Sequence, residues 1–217
     1  DPLWSRGLGD VYKRQGCEES SKQVKLIDNK IEQFAQFLQR KNNLDRIQFL
    51  KIRLGMQVLA INIEKSIVVY GLATIFHTFF YTLLTHLSYF LIRRHAHGTH
   101  AKSSLLCHIQ SIILFIIFPY LIIKLDINYF LLLSLALVGL IIIIVYAPAA
   151  TKKQPIPKRL VKQKKILSIN LYCAILVISF ITKEPVNKLI LFGGILESLT
   201  LLPIFFPKED IDYGKHF

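Results

Sequence analysis

Long uninterrupted runs of apolar residues constrain this sequence more than any other feature. Hydrophobic residues make up 53% of the 217 residues and charged residues only 19%, and the apolar residues are grouped in blocks. Blocks of about 17–25 apolar residues are long enough to cross a bilayer as helices. The sequence therefore predicts an all-α integral membrane protein, a bundle of five or six transmembrane helices. Its clear spans lie at about 66–92, 104–123, 128–147, 166–182 and 188–206.

The region before the first clear span decides between five and six transmembrane helices. Residues 44–64 are rich in apolar side chains, but Arg46, Lys51 and Arg53 interrupt the pattern. Five spans alone would place the basic N-terminal region outside the cell, against the tendency of basic loops to stay inside. We therefore expect 44–64 to cross or re-enter the membrane.

An amphipathic segment precedes this region. Residues 26–40 place Ile31, Phe34 and Phe37 on one helical face, opposite a polar face. This pattern predicts an N-terminal amphipathic helix that lies at the membrane surface or packs on the bundle.

The two ends of the chain differ from the rest in composition. Residues 1–24 are polar, lack the apolar core of a signal peptide, and include GDVYKRQ, which resembles translated adaptor sequence. We expect 1–24 to be a non-native disordered leader, 25–212 to form a single transmembrane domain, and 213–217 to be a short C-terminal tail.

Basic residues are concentrated between the apolar blocks and give a formal net charge of +13. In a soluble protein this excess would suggest nucleic-acid binding, but no basic patch interleaved with aromatic residues on a soluble scaffold is present. The positive-inside rule instead places 93–102 and 148–165 in the cytoplasm, and the nearly neutral turns at 124–127 and 183–187 outside. We therefore expect a multi-pass cell-membrane protein that binds no nucleic acid.

Most of the reactive side chains lie in one stretch, IRRHAHGTHAKSSLLCHIQS, at residues 92–111. In an unbroken helix, His100 and Cys107 would share a face but stand about 10.5 Å apart along the axis. That distance is too long for a hydrogen bond. A catalytic pair of these two residues therefore requires a break in the helix.

The sequence contains such a break. Gly98 disfavours helix, and Ser103 and Ser104 are good N-cap residues. They predict a loop over about 94–103 and a new helix from about 104. Cys107 would then lie near a helix N-terminus, where the helix dipole favours a thiolate.

Three interpretations of this stretch follow from the residues alone. Cys107 and His100 form a thiol nucleophile with its base. Alternatively, Cys107 is a small apolar residue of a membrane helix and the histidines are polar groups at the headgroups. In a third interpretation, His95, His97 and His100 bind zinc together with Cys107 or His108. The spacing of seven residues between His100 and Cys107 is a weak signal and does not choose among them.

Glu197 is an ionisable residue well inside the last span. Such residues usually face the bundle interior and have a partner of opposite charge. We expect a structural intramembrane pair between Glu197 and either Arg53 or Arg46.

Four strings of the sequence together closely resemble one protein family. They are NNLDRIQFLKIRLGMQVLA, LIRRHAHGTHAKSSLLC, YAPAATKKQPIPKRL and LLPIFFPKED. The family is the accessory gene regulator protein B family of Gram-positive bacteria, and the likeness covers about 25–212 in order, nearest to staphylococcal members. The resemblance implies a bacterial membrane cysteine endopeptidase with its active site at the cytoplasmic side. Such an enzyme removes the tail of a small precursor and forms the thiolactone or lactone ring of a quorum-sensing peptide.

The resemblance assigns catalytic roles within the reactive stretch. The catalytic histidine of the family, in its G-x-H step, falls on His100, and the nucleophilic cysteine falls on Cys107. Lys102 stands where the staphylococcal pattern usually has proline, so the loop loses a φ constraint and gains a charge. We expect oxyanion stabilisation or loop support from Arg93, Arg94, Gly98, Ser103 and Ser104.

The resemblance also defines the partners. Precursors of this family resemble an amphipathic helix followed by a ring-forming segment and an acidic tail, and we expect Lys152, Lys153, Lys158 and Arg159 to bind that tail. The lipid bilayer is the second partner, and a homodimer is compatible with the family. We expect no cofactor and no metal. The competing functions are a membrane peptide transporter without thiol catalysis and a zinc-dependent membrane hydrolase.

Overall fold

The computed structural model describes residues 22–42, 45–99, 104–149, 156 and 158–206. Within these ranges the chain is helical, with no strand and an isolated bridge between His97 and Ala149. The leader, apart from 22–24, and the C-terminal tail lie outside the described residues. The chain divides into two compact units, residues 1–67 and residues 68–217, each described by itself.

The first unit contains α1 (Lys22–Asn42) and most of α2 (Arg46–Ile75). Glu32 and Arg53 connect the two helices through an ion pair of 3.0 Å between Oε2 and Nη2. Ile31 is buried, whereas Phe34 and Phe37 are exposed and stack with their ring centroids 6.3 Å apart. The helix over 26–40 thus turns its two phenylalanines outward, away from its buried residues.

The second unit contains the end of α2 and the helices that follow it. They are α3 (Phe79–Ala96), α4 (Ser104–Ile112), a π-helical turn (Ile113–Ile117), α5 (Phe118–Lys124), α6 (Tyr129–Tyr146), α7 (Lys158–Ile181), α8 (Val186–Thr200) and a 3-10 turn (Pro203–Phe205). The π turn joins α4 to α5 without a break. Pro119 follows it closely and has no N–H for the carbonyl of Phe115, which favours the wider turn.

Four helical segments are long and apolar enough to cross a membrane, among the residues that the structure describes: Arg46–Ile75, Leu106–Lys124, Tyr129–Tyr146 and Arg159–Ile181. Their large apolar side chains are widely exposed; Phe130 and Ile181 keep 74% and 77% of their surface accessible. So much exposed apolar surface suits lipid and not water. The chain is therefore an all-helical protein of membrane type.

The structure corrects the limits of the first clear span. The sequence suggested one span at 66–92 and a separate segment at 44–64, but α2 runs without interruption from Arg46 to Ile75. Glu64 and Lys65 are good helix formers and do not end a helix. The break falls later, at 76–78, where His77 adopts a φ of 55° and Thr78 donates to the carbonyl of Ala73.

Close packing between α3 and α8 organises the second unit. Helix α8 also packs on α6 and α7, and nearly all its side chains are buried. A Cβ at Gly193 would lie 2.4 Å from the carbonyl oxygen of Thr85 and 1.9 Å from Oγ of Ser88. Small residues at this crossing let the two backbones approach each other. The approach brings the C-terminal turns of α3 and α8 together.

Candidate active site

The loop that leads towards His100 begins where α3 ends. Helix α3 continues to Ala96, a few residues beyond the predicted limit, and then His97 and Gly98 have φ values of 61° and 122°. The predicted break at Gly98 is therefore confirmed. A Cβ on Gly98 would lie 2.3 Å from Nη1 of Arg93 and 2.7 Å from Oγ1 of Thr200, so both backbone conformation and space require glycine.

Cys107 lies near the start of the following helix. Helix α4 begins at Ser104, as the sequence predicted, and Cys107 is its fourth residue and is half-buried. The carbonyl of Cys107 accepts a hydrogen bond of 2.8 Å from Oγ of Ser111. This position near the N-terminus exposes the sulfur to the favourable end of the helix dipole.

Several candidate residues cannot be placed. His100, Lys102, Ser103, Lys152 and Lys153 lie outside the described residues, as do the side chains of Ser104 and Lys158. The geometry of the His100–Cys107 pair therefore stays a prediction. Arg94 and Arg159 are described, and both are exposed.

Arg93 fixes the described part of the loop. Its Nη1 donates to Oγ1 of Thr200 at 2.8 Å, and its Nη2 donates to the carbonyl oxygen of Thr99. The same Nη1 lies 3.5 Å from Oε2 of Glu197, and the Arg93 side chain is only 15% exposed. One guanidinium thus connects the loop to the C-terminal turn of α8.

The ion pair of Glu197 differs from the sequence-based expectation. We expected Arg53 or Arg46 as its partner, but Glu197 pairs with Arg93, and Arg53 pairs with Glu32 in the first unit. The reason is the close approach of α3 and α8, which places the last turn of one helix beside the last turn of the other.

The beginning of the basic linker and the second turn of α7 both contact the end of α3. The N–H of Ala149 donates to the carbonyl of Ala96 at 2.9 Å, and Ala149 forms the isolated bridge with His97. Lys164, the seventh residue of α7, contacts Nε2 of His97 through its Nζ. His97 thus contacts residues on both sides of the linker.

Three residues of this site escaped the sequence analysis. Cζ of Arg93 lies 6.0 Å from the ring centroid of Tyr89, and Thr99 and Thr200 hydrogen-bond to each other across the loop. The spacing of Thr200 three residues after Glu197, which puts both on one side of α8, was the available signal. Nothing in the sequence connects either residue to Thr99.

The zinc interpretation gains no support from the described part of the chain. Within it, no group of three or more His, Cys, Asp or Glu side chains is arranged to hold a metal ion. Cys107 and His108 are both described and half-buried, whereas His100 is not described.

The fold and the site define the class of protein. It is a multi-helical protein of membrane type, with a half-buried thiol near the start of a helix and a loop that an arginine fixes. The Accessory gene regulator B family matches residues 31–201, and the chain belongs to this family. It is 88% identical to an accessory gene regulator protein B from Staphylococcus epidermidis over 194 residues, 89% of this chain and 100% of that relative. Relatives from Staphylococcus haemolyticus and Staphylococcus aureus are 60% and 56% identical over 187 residues, 86% of this chain and 100% of each relative. No solved structure matches the chain.

Proposed function

We propose that this chain is a membrane-embedded cysteine endopeptidase that processes a quorum-sensing precursor. It cleaves the C-terminal tail of the precursor and promotes closure of a thiolactone or lactone ring. The observation that carries the proposal is the position of Cys107, half-buried in the first turns of α4, the helix that follows the loop whose beginning Arg93 fixes. Membership of the accessory gene regulator B family supports it.

The first step breaks the peptide bond before the tail. His100 takes the proton from Sγ of Cys107, and the thiolate attacks the scissile carbonyl carbon of the precursor. The carbonyl oxygen becomes an oxyanion, for which backbone N–H groups at the start of α4 are the candidate donors. His100 returns the proton to the departing amine, and the rest of the precursor stays on Cys107 as a thioester.

The second step closes the ring. A thiol or hydroxyl within the precursor attacks the thioester carbon, its proton passes to His100, and the Cys107 thiolate leaves. For a precursor thiol, one thioester is exchanged for another, so little bond energy is gained or lost. The competing reaction is hydrolysis to a linear acid, and exclusion of water at the edge of the hydrocarbon region favours the ring.

The test is single-turnover cleavage in reconstituted membranes. Purified chain in liposomes is mixed with a synthetic precursor that carries an amphipathic helix, a ring-forming segment and an acidic tail. Wild type is expected to release the tail and to accumulate an acyl adduct on the peptide that contains Cys107, visible by mass spectrometry. Cys107→Ser and His100→Ala are expected to reduce tail release by several orders of magnitude, since members of a nucleophile–base pair act as a unit.

Three results would count against the proposal. Tail release by Cys107→Ser at the wild-type rate would exclude thiol catalysis. Loss of activity on addition of a chelator, with recovery on zinc, would favour the hydrolase that depends on zinc. Movement of intact precursor across the liposome without cleavage would favour a transporter.

We further propose that the basic linker attracts the acidic tail of the precursor. Ala149, at the beginning of the linker, and Lys164, in the second turn of α7, both contact His97 in the segment that leads to His100, and this supports the proposal. Arg159 is exposed, so its charge is not desolvated by burial. Clustered positive charge raises the local concentration of an anionic segment, and salt weakens the effect.

This steering is tested by neutralising Lys152, Lys153, Lys158 and Arg159 together with glutamine. We expect kcat/KM to fall at low salt and to approach the wild-type value at high salt, because screening removes the advantage of wild type. An equal kcat/KM for the two proteins at both salt concentrations would contradict tail steering.

We also propose six membrane passes, made by α2, α3, α4 with α5, α6, α7 and α8, with the active site on the cytoplasmic side. The loop after Ala96 contacts the linker at Ala149, and Asp126 contacts Lys188 near the opposite turns, so each set of connections shares one end of the bundle. An impermeant maleimide added to intact cells should label Asp126→Cys and should label Arg159→Cys only after permeabilisation. The opposite pattern would invert the topology.

A further inference from the structure

Glu197 is a buried carboxylate in an unusual setting. Its side chain has no exposed surface, and neither carboxylate oxygen makes a hydrogen bond within the described part of the chain. The guanidinium of Arg93, 3.5 Å from Oε2, is its ion-pair partner. Burial of a carboxylate without hydrogen bonds costs free energy, and a buried ion pair is weak as a source of stability. The arrangement therefore calls for an explanation beyond packing.

The other contacts of Arg93 supply that explanation. Besides facing Glu197, the guanidinium donates to Oγ1 of Thr200 on α8 and to the carbonyl oxygen of Thr99 in the loop. Thr99 directly precedes His100 in the chain. The position of the Arg93 guanidinium thus sets the position of the backbone one residue before His100.

Thr200 holds the same part of the loop independently of charge. Its carbonyl oxygen accepts from both the N–H and Oγ1 of Thr99, each at 3.3 Å. Its own hydroxyl accepts from Arg93 and donates to the carbonyl of Glu197 at 2.8 Å. The last carbonyl groups of a helix have no partner within the helix, so the loop satisfies groups that would otherwise lack one. Arg93, Thr99, Glu197 and Thr200 together form what we term the loop anchor.

We propose that Glu197 and Thr200 are positioning residues for the reaction: they hold Arg93 and Thr99, and so fix the backbone from which His100 reaches Cys107. The proposal rests on the proposed function for the role of His100. Neither residue touches the reacting atoms. A misplacement of about 1 Å in a catalytic group can cost roughly 100-fold in rate, which makes a rigid loop worth the cost of a buried charge.

Each variant removes one functional group of the loop anchor. Glu197→Gln keeps the shape of the side chain and removes its charge, and Thr200→Val keeps the shape and removes the hydroxyl. Thr200→Ser restores the hydroxyl and is the rescue variant. Glu184→Gln is the matched control, because Glu184 pairs with Lys188 at the other end of α8, 2.9 Å away, and does not contact the loop anchor.

Two measurements are made on each purified variant in lipid nanodiscs. Amide hydrogen exchange is followed for a peptide that covers 97–103, and tail release from the synthetic precursor gives kcat and KM. We expect Glu197→Gln and Thr200→Val to exchange faster over 97–103 and to lose about tenfold or more in kcat with little change in KM. Thr200→Ser and Glu184→Gln are expected to resemble wild type in both measurements.

The outcomes separate this proposal from the proposed function. Unchanged exchange over 97–103, or faster exchange with an unchanged kcat, would overturn the positioning role while the peptidase stands. If the variants exchange faster over 97–103 but wild type releases no tail, the loop anchor is supported and the proposed peptidase activity is wrong. If Glu197→Gln does not fold, Thr200→Val decides, because it leaves the ion pair intact.

Discussion

Helix α8 carries a buried charge at each end, and the two ends use it differently. At the beginning, Lys188 is only 4% exposed, and its Nζ lies 2.6 Å from Oδ1 of Asp126 and 2.9 Å from Oε2 of Glu184. Both carboxylates come from turns between helices and are largely exposed, at 85% and 56%. The Lys188 pairs therefore connect two turns through groups that water can also satisfy.

At the other end of α8, the buried partner is the carboxylate itself. Glu197 has no exposed surface, and its partner Arg93 also bonds the backbone of the loop that leads to His100. Loss of one member there leaves a charge without water and releases the loop. Both ends of α8 have an ion pair, so the ion pair does not distinguish them. They differ in burial of the acid: the carboxylate is buried at the Glu197 end, which we assign to the reaction, and exposed at the Lys188 end, which connects turns.

Among changes at the two ends of α8 and their partners, the largest effect is expected for the glycine beside Arg93. Gly98→Ala adds a Cβ that would lie 2.3 Å from Nη1 of Arg93, at a φ of 122° that alanine rarely adopts. We expect tail release to fall on the order of 100-fold, since the loop must move. Gly71→Ala is the control, because a Cβ there meets nothing within 4 Å, and it should leave activity unchanged. Equal activity of both variants would mean that the loop geometry is unimportant.

The second prediction compares the stability of the two ends. Arg93→Met leaves Glu197 buried without its cation and should lower the unfolding free energy by about 3–5 kcal/mol. Lys188→Met leaves two exposed carboxylates to water and should cost about 1 kcal/mol or less. Thermal unfolding in one detergent ranks the variants. A larger loss for Lys188→Met would reverse the distinction drawn between the ends.

The smallest effect is expected for a single carboxylate at the Lys188 end. Asp126→Asn removes one of the two ion pairs of Lys188, and Glu184 retains the other. Because Asp126 is 85% exposed, the melting temperature should change by less than about 2 °C, with activity unchanged. A drop comparable to that of Arg93→Met would show that this end is as sensitive as the Glu197 end.

Local patterns in the sequence located the break in the reactive stretch. Gly98 and the serines at 103 and 104 predicted the end of one helix and the start of the next, and α4 does begin at Ser104. These signals are local because backbone conformation and helix capping depend on a few neighbouring residues. The limit of α2 was misplaced for a related reason: apolar runs lie on both sides of 76–78, and the two polar residues His77 and Thr78 are too short an interruption to mark the turn.

By itself, the sequence determined that the chain is helical and of membrane type, to which family it belongs, and where the reactive loop lies, because composition and nearby residues encode these properties. The tertiary structure alone decided the partner of Glu197 and the residues that hold the loop. Arg93 and Glu197 are far apart in the chain and meet only because glycine and small polar residues let α3 and α8 pack closely. A charge pattern identifies candidates for such a pair, but the geometry of packed helices selects which candidates touch.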